Sequence, residues 1–215
     1  MRLKLLSLAM LTVVTPALAE DHPLFRPNRD VAVVYRQSGI TQGAVAEPDR
    51  MMTMRFASKS GRIRIDSPNG RGYAILDVDA GRMTMVMVDR RIYLEQPADP
   101  GMTAIFQGRN TALRKTGTDT IAGVSCTIYD AHIDNHNGQV CLTDDGVLLR
   151  ARSEDPDRHR ELEAVRVTFT DQPASMFETP AGFQKMDSAA MSRGMNSDPG
   201  GGGSRGDNPG GQPAR

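Results

Sequence analysis

Arg62-Ile63-Arg64-Ile65-Asp66-Ser67-Pro68-Asn69-Gly70-Arg71-Gly72-Tyr73-Ala74-Ile75-Leu76-Asp77 carries the pattern that decides the fold. Ile63 and Ile65 alternate with Arg62, Arg64 and Asp66, a period of two that puts the apolar side chains on one face of an extended strand and the charges on the other. Asn69-Gly70 then offers the residues that tolerate a left-handed backbone, and Tyr73–Asp77 resumes an extended run, so the stretch predicts an antiparallel hairpin. The same grammar extends outward over about Arg29 to Asp187. Candidate strands are Asp30–Gln37, Met51–Ala57, Arg62–Asp66, Tyr73–Asp77, Met83–Val88, Arg91–Glu95, Ala112–Lys115, Ser125–Tyr129, Gln139–Leu142, Val147–Ser153 and Glu163–Thr170. Turn chemistry separates them at Ser60-Gly61, Asp79-Ala80-Gly81, Asp89-Arg90 and Asp144-Asp145-Gly146. Helical signals are confined to Met102–Gly108, after Asp99-Pro100, and to Pro173–Phe177. The reading is a mainly β domain with one or two short helices, for which a sandwich, a closed barrel and a strongly curved sheet all remain open.

Upstream of this body, Arg2 and Lys4 precede the apolar run Leu5–Val14 and the small-residue pattern Ala17-Leu18-Ala19. About ten apolar residues fall short of the ~20 that span a bilayer, and the pattern predicts a signal peptide over residues 1–19, cleaved before Glu20. Residues 20–28 then form a linker. The expected address is the periplasm, without lipidation, because no cysteine lies near the cleavage site. Loss of Arg2 and Lys4 leaves a net charge of about −2, which excludes the basic footprint of a nucleic-acid binder. No later stretch reaches transmembrane length. Residues 188–215 are rich in Gly, Pro and Ser and hold almost no apolar surface to offset ordering entropy, so a disordered tail is expected. The Arg205-Gly206-Asp207 triplet within it reads as a chance match.

Cys126 and Cys141 are the only cysteines, and in an oxidising compartment an even pair is expected to be joined. If the strand Ser125–Tyr129 returns through a loop over Asp130–Asn137 with Gly138 facing Tyr129, Cys126 and Cys141 stand directly opposite each other. Motifs for catalysis are missing: there is no G-x-S-x-G elbow, H-E-x-x-H helix or phosphate loop. A non-enzymatic role without cofactor is the expectation. Asp130, His132, Asp134 and His136 alternate in a manner suited to zinc or copper, though in a hairpin loop such residues are ordinarily just solvated.

Methionine placement is more informative. Aromatic residues make up only 5% of the chain and Trp is absent, whereas Met occurs 13 times. Met83, Met85 and Met87 lie at alternate positions of one strand, and Met52, Met54 and Phe56 do so on another. Three readings follow: a filled core, an adaptable apolar cavity lined by flexible thioethers, or a row of soft ligands for Cu(I).

Several longer segments point to a family. Pro27-Asn28-Arg29-Asp30-Val31-Ala32-Val33-Val34-Tyr35-Arg36, Ile121-Ala122-Gly123-Val124-Ser125-Cys126-Thr127-Ile128-Tyr129, Val140-Cys141-Leu142-Thr143-Asp144-Asp145-Gly146-Val147 and Pro180-Ala181-Gly182-Phe183-Gln184-Lys185-Met186 resemble an uncharacterised family of exported bacterial proteins. That family is similar in overall pattern to the LolA/LolB-like lipoprotein carriers. The resemblance implies a curved antiparallel sheet or unclosed β-barrel over residues 29–187, with short helices lidding an apolar concavity. It further implies a soluble carrier whose concavity holds a lipid or acylated ligand, and the alternation of Met52, Met54, Phe56, Met83, Met85 and Met87 makes these residues the expected lining in part. The rival functions are copper handling by the methionine rows and recognition of a protein partner in the cell envelope.

Overall fold

The structure, a computed structural model, describes residues 25–39, 41–42, 45–46, 48–109, 111–133, 136–154 and 160–187. The expected signal peptide and Gly-rich tail lie outside the described residues. In chain order the strands are β1 (Val31–Ser38), β2 (Thr41–Gln42), β3 (Val45–Ala46), β4 (Arg50–Ala57), β5 (Arg62–Asp66), β6 (Gly72–Asp77), β7 (Arg82–Met87), β8 (Ile92–Pro97), β9 (Thr111–Ile121), β10 (Val124–Ile133), β11 (His136–Leu142), β12 (Leu148–Ser153), β13 (Glu161–Thr168) and β14 (Gln184–Met186). One helix, α1 (Pro100–Phe106), follows β8, and a 3-10 turn (Ala174–Phe177) precedes β14.

Twelve strands make one sheet in the order β14-β8-β7-β6-β5-β4-β1-β13-β12-β11-β10-β9, while β2 and β3 pair with each other. The main sheet is mixed, because β14 runs parallel to β8 and its other neighbours are antiparallel. Its outer strands, β14 and β9, do not pair with each other, so the curved sheet is an unclosed barrel, consistent with the LolA-like architecture. Two meanders of sequential hairpins, β4–β8 and β9–β13, are joined by β1, which pairs with β4 on one side and β13 on the other. The sequence of β1 suits this central place. Val31, Val33 and Tyr35 alternate along it and are almost completely buried, which favours a strand flanked on both sides over an edge.

Local chemistry fixes the turns. In the β5–β6 connection Gly70 adopts φ +69, and the Asn69 side-chain oxygen accepts hydrogen bonds from Ser67 Oγ (2.7 Å) and Arg71 N (3.0 Å). The β9–β10 hairpin turns on Ala122 and Gly123, both left-handed at φ 51 and 77, the backbone pair that a right-twisted two-residue hairpin requires. Helix α1 begins two residues before the expected Met102, because Asp99 caps it by accepting from Met102 N at 2.9 Å and Pro100 suits a first turn that needs no N–H.

Two expectations are corrected. The first concerns the loop over Asp130–Asn137: β10 continues to Ile133 and β11 starts at His136. Asp130 and His132 take the polar side of an amphipathic strand whose other side carries Ala131, 5% exposed. The second concerns the C-terminal part, which adds the unanticipated β14. To reach it the chain crosses the outer face of the sheet. Met176 and Phe177 pack on Ala57, Ile75 and Tyr73, and the guanidinium groups of Arg62 and Arg64 donate to the carbonyls of Phe177 (3.4 Å) and Met176 (3.0 Å). Asp30 anchors the start of this strap by accepting from Gln172 N, Ser58 N and Ser58 Oγ at 2.7–2.8 Å. Burial opposes its ionisation, yet these hydrogen bonds together hold its carboxyl below the usual range.

Candidate ligand-binding site

Strand register decides where the methionines go, since directly opposed residues in antiparallel strands point to the same face. Phe56, Ile63, Leu76 and Met83 form one transverse row across β4–β7. Met54, Ile65, Ala74, Met85 and Leu94 form the next, ending on β8, and Gly72, Met87 and Ile92 a third. Met52 stands on the same face, opposite Tyr35 of β1. The structure therefore brings all six residues singled out in the sequence to the inner face of the sheet.

It also divides them. At one end, α1 and the N-terminal segment close the concavity: Phe106 meets Phe56 with ring centroids 6.3 Å apart, and Arg26 pairs with Asp79 at 2.9 Å. Phe56 belongs to the buried core there, and Met54 and Met83 pack against it. The pocket left beneath the helix measures only about 10 Å³. At the opposite end no helix among the described residues intrudes, and a cavity of about 440 Å³ opens between Met52 on β4 and Met85 and Met87 on β7. Ile65, Ala74 and Gly72 lie between these walls. Met52, Met85 and Met87 thus face a hollow, whereas Phe56 is buried and Met54 and Met83 do not reach it.

Small residues are what make the hollow. Two strands, β5 and β6, separate the methionine walls, a span of roughly 14 Å at the usual strand spacing. On the floor of this span Gly72 and Ala74 leave space that larger side chains would fill. Gly72 has a second reason to be glycine, because a Cβ there would lie 2.3 Å from the Val86 carbonyl oxygen. The trough continues across β1, where Gln37 also lines a second cavity of about 260 Å³. Gln37, Leu162, Ala151 and Val140 oppose one another in turn across β1, β13, β12 and β11. Together with Ala131 and Gly138 they give this arm a floor of mostly small apolar groups. None of these residues carried a motif. Their only sequence signal is small size at alternate positions of strands whose order local spacing does not contain.

Tyr35 marks the border between packed and open halves. It is 1% exposed, and its hydroxyl donates to the Leu148 carbonyl at 2.6 Å. Burial pushes its phenol well above the ordinary tyrosine range. The folded state therefore keeps the proton after the unfolded chain has begun to lose it, so this contribution to stability is complete below pH ~10 and declines above it. Tyr35→Phe is expected to cost about 1 kcal/mol at pH 7, through the lost partner of the Leu148 carbonyl. It should also remove roughly 1 kcal/mol of the stability lost between pH 10 and 11. Urea unfolding at these pH values checks both.

The remaining candidates are placed as follows. Cys126 and Cys141 are joined, with Cα atoms 5.5 Å apart. The bridge is not between directly opposed residues, because Cys141 faces Ile128 and Gly138 faces Ala131; the longer hairpin moves the register by two, and the disulfide runs diagonally. Asp130 is engaged by Arg114 and Gln139, and the His132 ring is bonded to Asn137. Asp134 and the His136 side chain lie outside the described residues. No helix of the described residues is long and apolar enough to cross a membrane.

No protein-family model and no curated protein matches the sequence. Among solved structures, the chain is similar to an uncharacterized conserved protein from Thermus thermophilus, with a TM-score of 0.53 and 10% identity over 74% of this chain and 91% of that one. The Pseudomonas aeruginosa MucA/MucB complex gives a TM-score of 0.45 at 12% identity, covering 73% of this chain and 58% of its counterpart. PNGF-II gives 0.48 at 8% identity, covering 79% of this chain and 34% of its own. The likeness to the Thermus protein is one of fold.

Proposed function

We propose that the chain is a non-catalytic carrier of the bacterial periplasm that holds an acyl chain or similarly apolar ligand in the inner-face trough. The observation that carries this reading is the contrast between the two ends of one continuous apolar face. The transverse row of Phe56, Ile63, Leu76 and Met83 is packed near α1, and the rows beyond it open onto a cavity of about 440 Å³. That volume lies in the range of small-molecule sites. Binding would need no covalent step: each methylene moved from water onto the trough contributes about 0.8 kcal/mol before ordering costs. Methionine walls suit a ligand of variable shape, because an unbranched thioether adjusts its rotamers to what lies against it.

Native mass spectrometry of gently purified protein, followed by solvent extraction, tests the proposal. The expected result is a set of adducts that vanish on denaturation and appear in the extract as acylated molecules. Protein that is consistently empty and also ignores a fluorescent fatty-acyl probe would refute it.

A further inference from the structure

Resting on the reading of the trough as an apolar-ligand site, we propose that Met52, Met85 and Met87 form an oxidation-controlled release site. Peroxide converts their thioethers to sulfoxides, and the bound ligand is expelled.

The geometry separates these three from the other methionines of the same strands. Met52, Met85 and Met87 line the open cavity, and Met85 is 39% exposed. Met54 and Met83, one inward position away on β4 and β7, pack partly buried against the core and do not line this cavity; Met52 packs against that core too but also lines the cavity. An oxidant entering the trough therefore meets the first set before the second. No thiol competes with them among the described residues, since both cysteines are in the disulfide. In the reaction a sulfur lone pair attacks one peroxide oxygen. An S–O bond forms, the O–O bond breaks, sulfur is oxidised by two electrons, and the second oxygen leaves as water. The product puts a polar, branched sulfoxide where a flexible apolar chain had been. A bound acyl chain offers that group no hydrogen bond, so ligand and sulfoxide cannot both occupy the trough without a desolvation cost.

Met51 supplies an internal control. It is 45% exposed, but it alternates with Met52 and points to the other face. Its oxidation should leave binding unchanged.

The experiment combines peptide mapping of hydrogen peroxide-treated protein with titration of a fluorescent fatty-acyl probe. Wild-type affinity is expected to fall about 10- to 100-fold in step with sulfoxide at Met52, Met85 and Met87, and to recover after treatment with methionine sulfoxide reductases. In the variant M52L/M85L/M87L, whatever starting affinity its altered walls leave, peroxide should cause no further loss, so the response to oxidant is the readout. Wild-type protein that binds equally well with all three residues oxidised would overturn the release site alone, as would loss that follows Met51 instead. Untreated wild-type protein that does not take up the probe would overturn the carrier reading, and the release site with it.

Discussion

Ala74→Phe is expected to weaken binding of a fatty-acyl probe at least tenfold while changing the melting temperature by no more than about 2 °C. Ala74 lies in the transverse row between Ile65 and Met85, on the floor of the cavity that the methionine walls enclose. A phenyl ring there projects into existing space, so the strain that follows overpacking of a filled core is small. It does remove room from the ligand, and excluding two methylenes already costs about 1.6 kcal/mol, or more than tenfold in affinity. The neighbouring Gly72 is unsuitable for the same purpose, because its Cβ would strike the backbone of β7 rather than enter the trough. Ala164→Phe serves as the contrast: Ala164 is 3% exposed in the central core, and enlarging it should lower stability directly. Probe titration together with thermal melting separates the outcomes. Unchanged affinity in Ala74→Phe would move the ligand away from this arm of the trough.

The two meanders could be read from local pattern, and their union could not. Arg62–Asp66 is a strand with the bounds its alternation implies, because a charge at every second residue leaves one register that buries the isoleucines. The methionine rows were likewise visible, since sharing a face follows from spacing alone. What spacing does not contain is the order of the strands. The pairing of β1 with both β4 and β13 links residues more than 100 positions apart, and the trough exists only once that link brings Gln37 between its two arms. That Met52 lines the cavity and Met54 does not has the same origin, as it depends on which end α1 covers. In β10 the local chemistry conceals the strand. Asp130-Ala131-His132 has too little apolar character to declare itself a strand, yet Ala131 suffices on an inner face where a small side chain is what the cavity needs.

Removing the disulfide by Cys126→Ala with Cys141→Ala is expected to produce the largest loss of stability, about 3 kcal/mol or somewhat more. The bridge closes a loop of 15 residues, for which the lost chain entropy of the unfolded state corresponds to about 3 kcal/mol. Both cysteines are nearly inaccessible, at 5% and 1% exposed, and belong to the central core, so the small cavities left by alanine add to the cost. For a domain of this size the melting temperature should fall by roughly 6–12 °C, measured by calorimetry on the variant and on wild type with and without reductant. Acyl-probe affinity well below the new transition should be unaltered. Cys141 alternates along β11 with Val140, which lines the trough, so the cross-link and the trough lie on opposite faces of the same strand. The pair of experiments therefore dissociates the two properties: Ala74→Phe changes occupancy with little change in melting, and loss of the bridge changes melting with little change in occupancy. A variant lacking the disulfide that melts normally would mean that the unfolded β10–β11 hairpin is already held together without its cross-link.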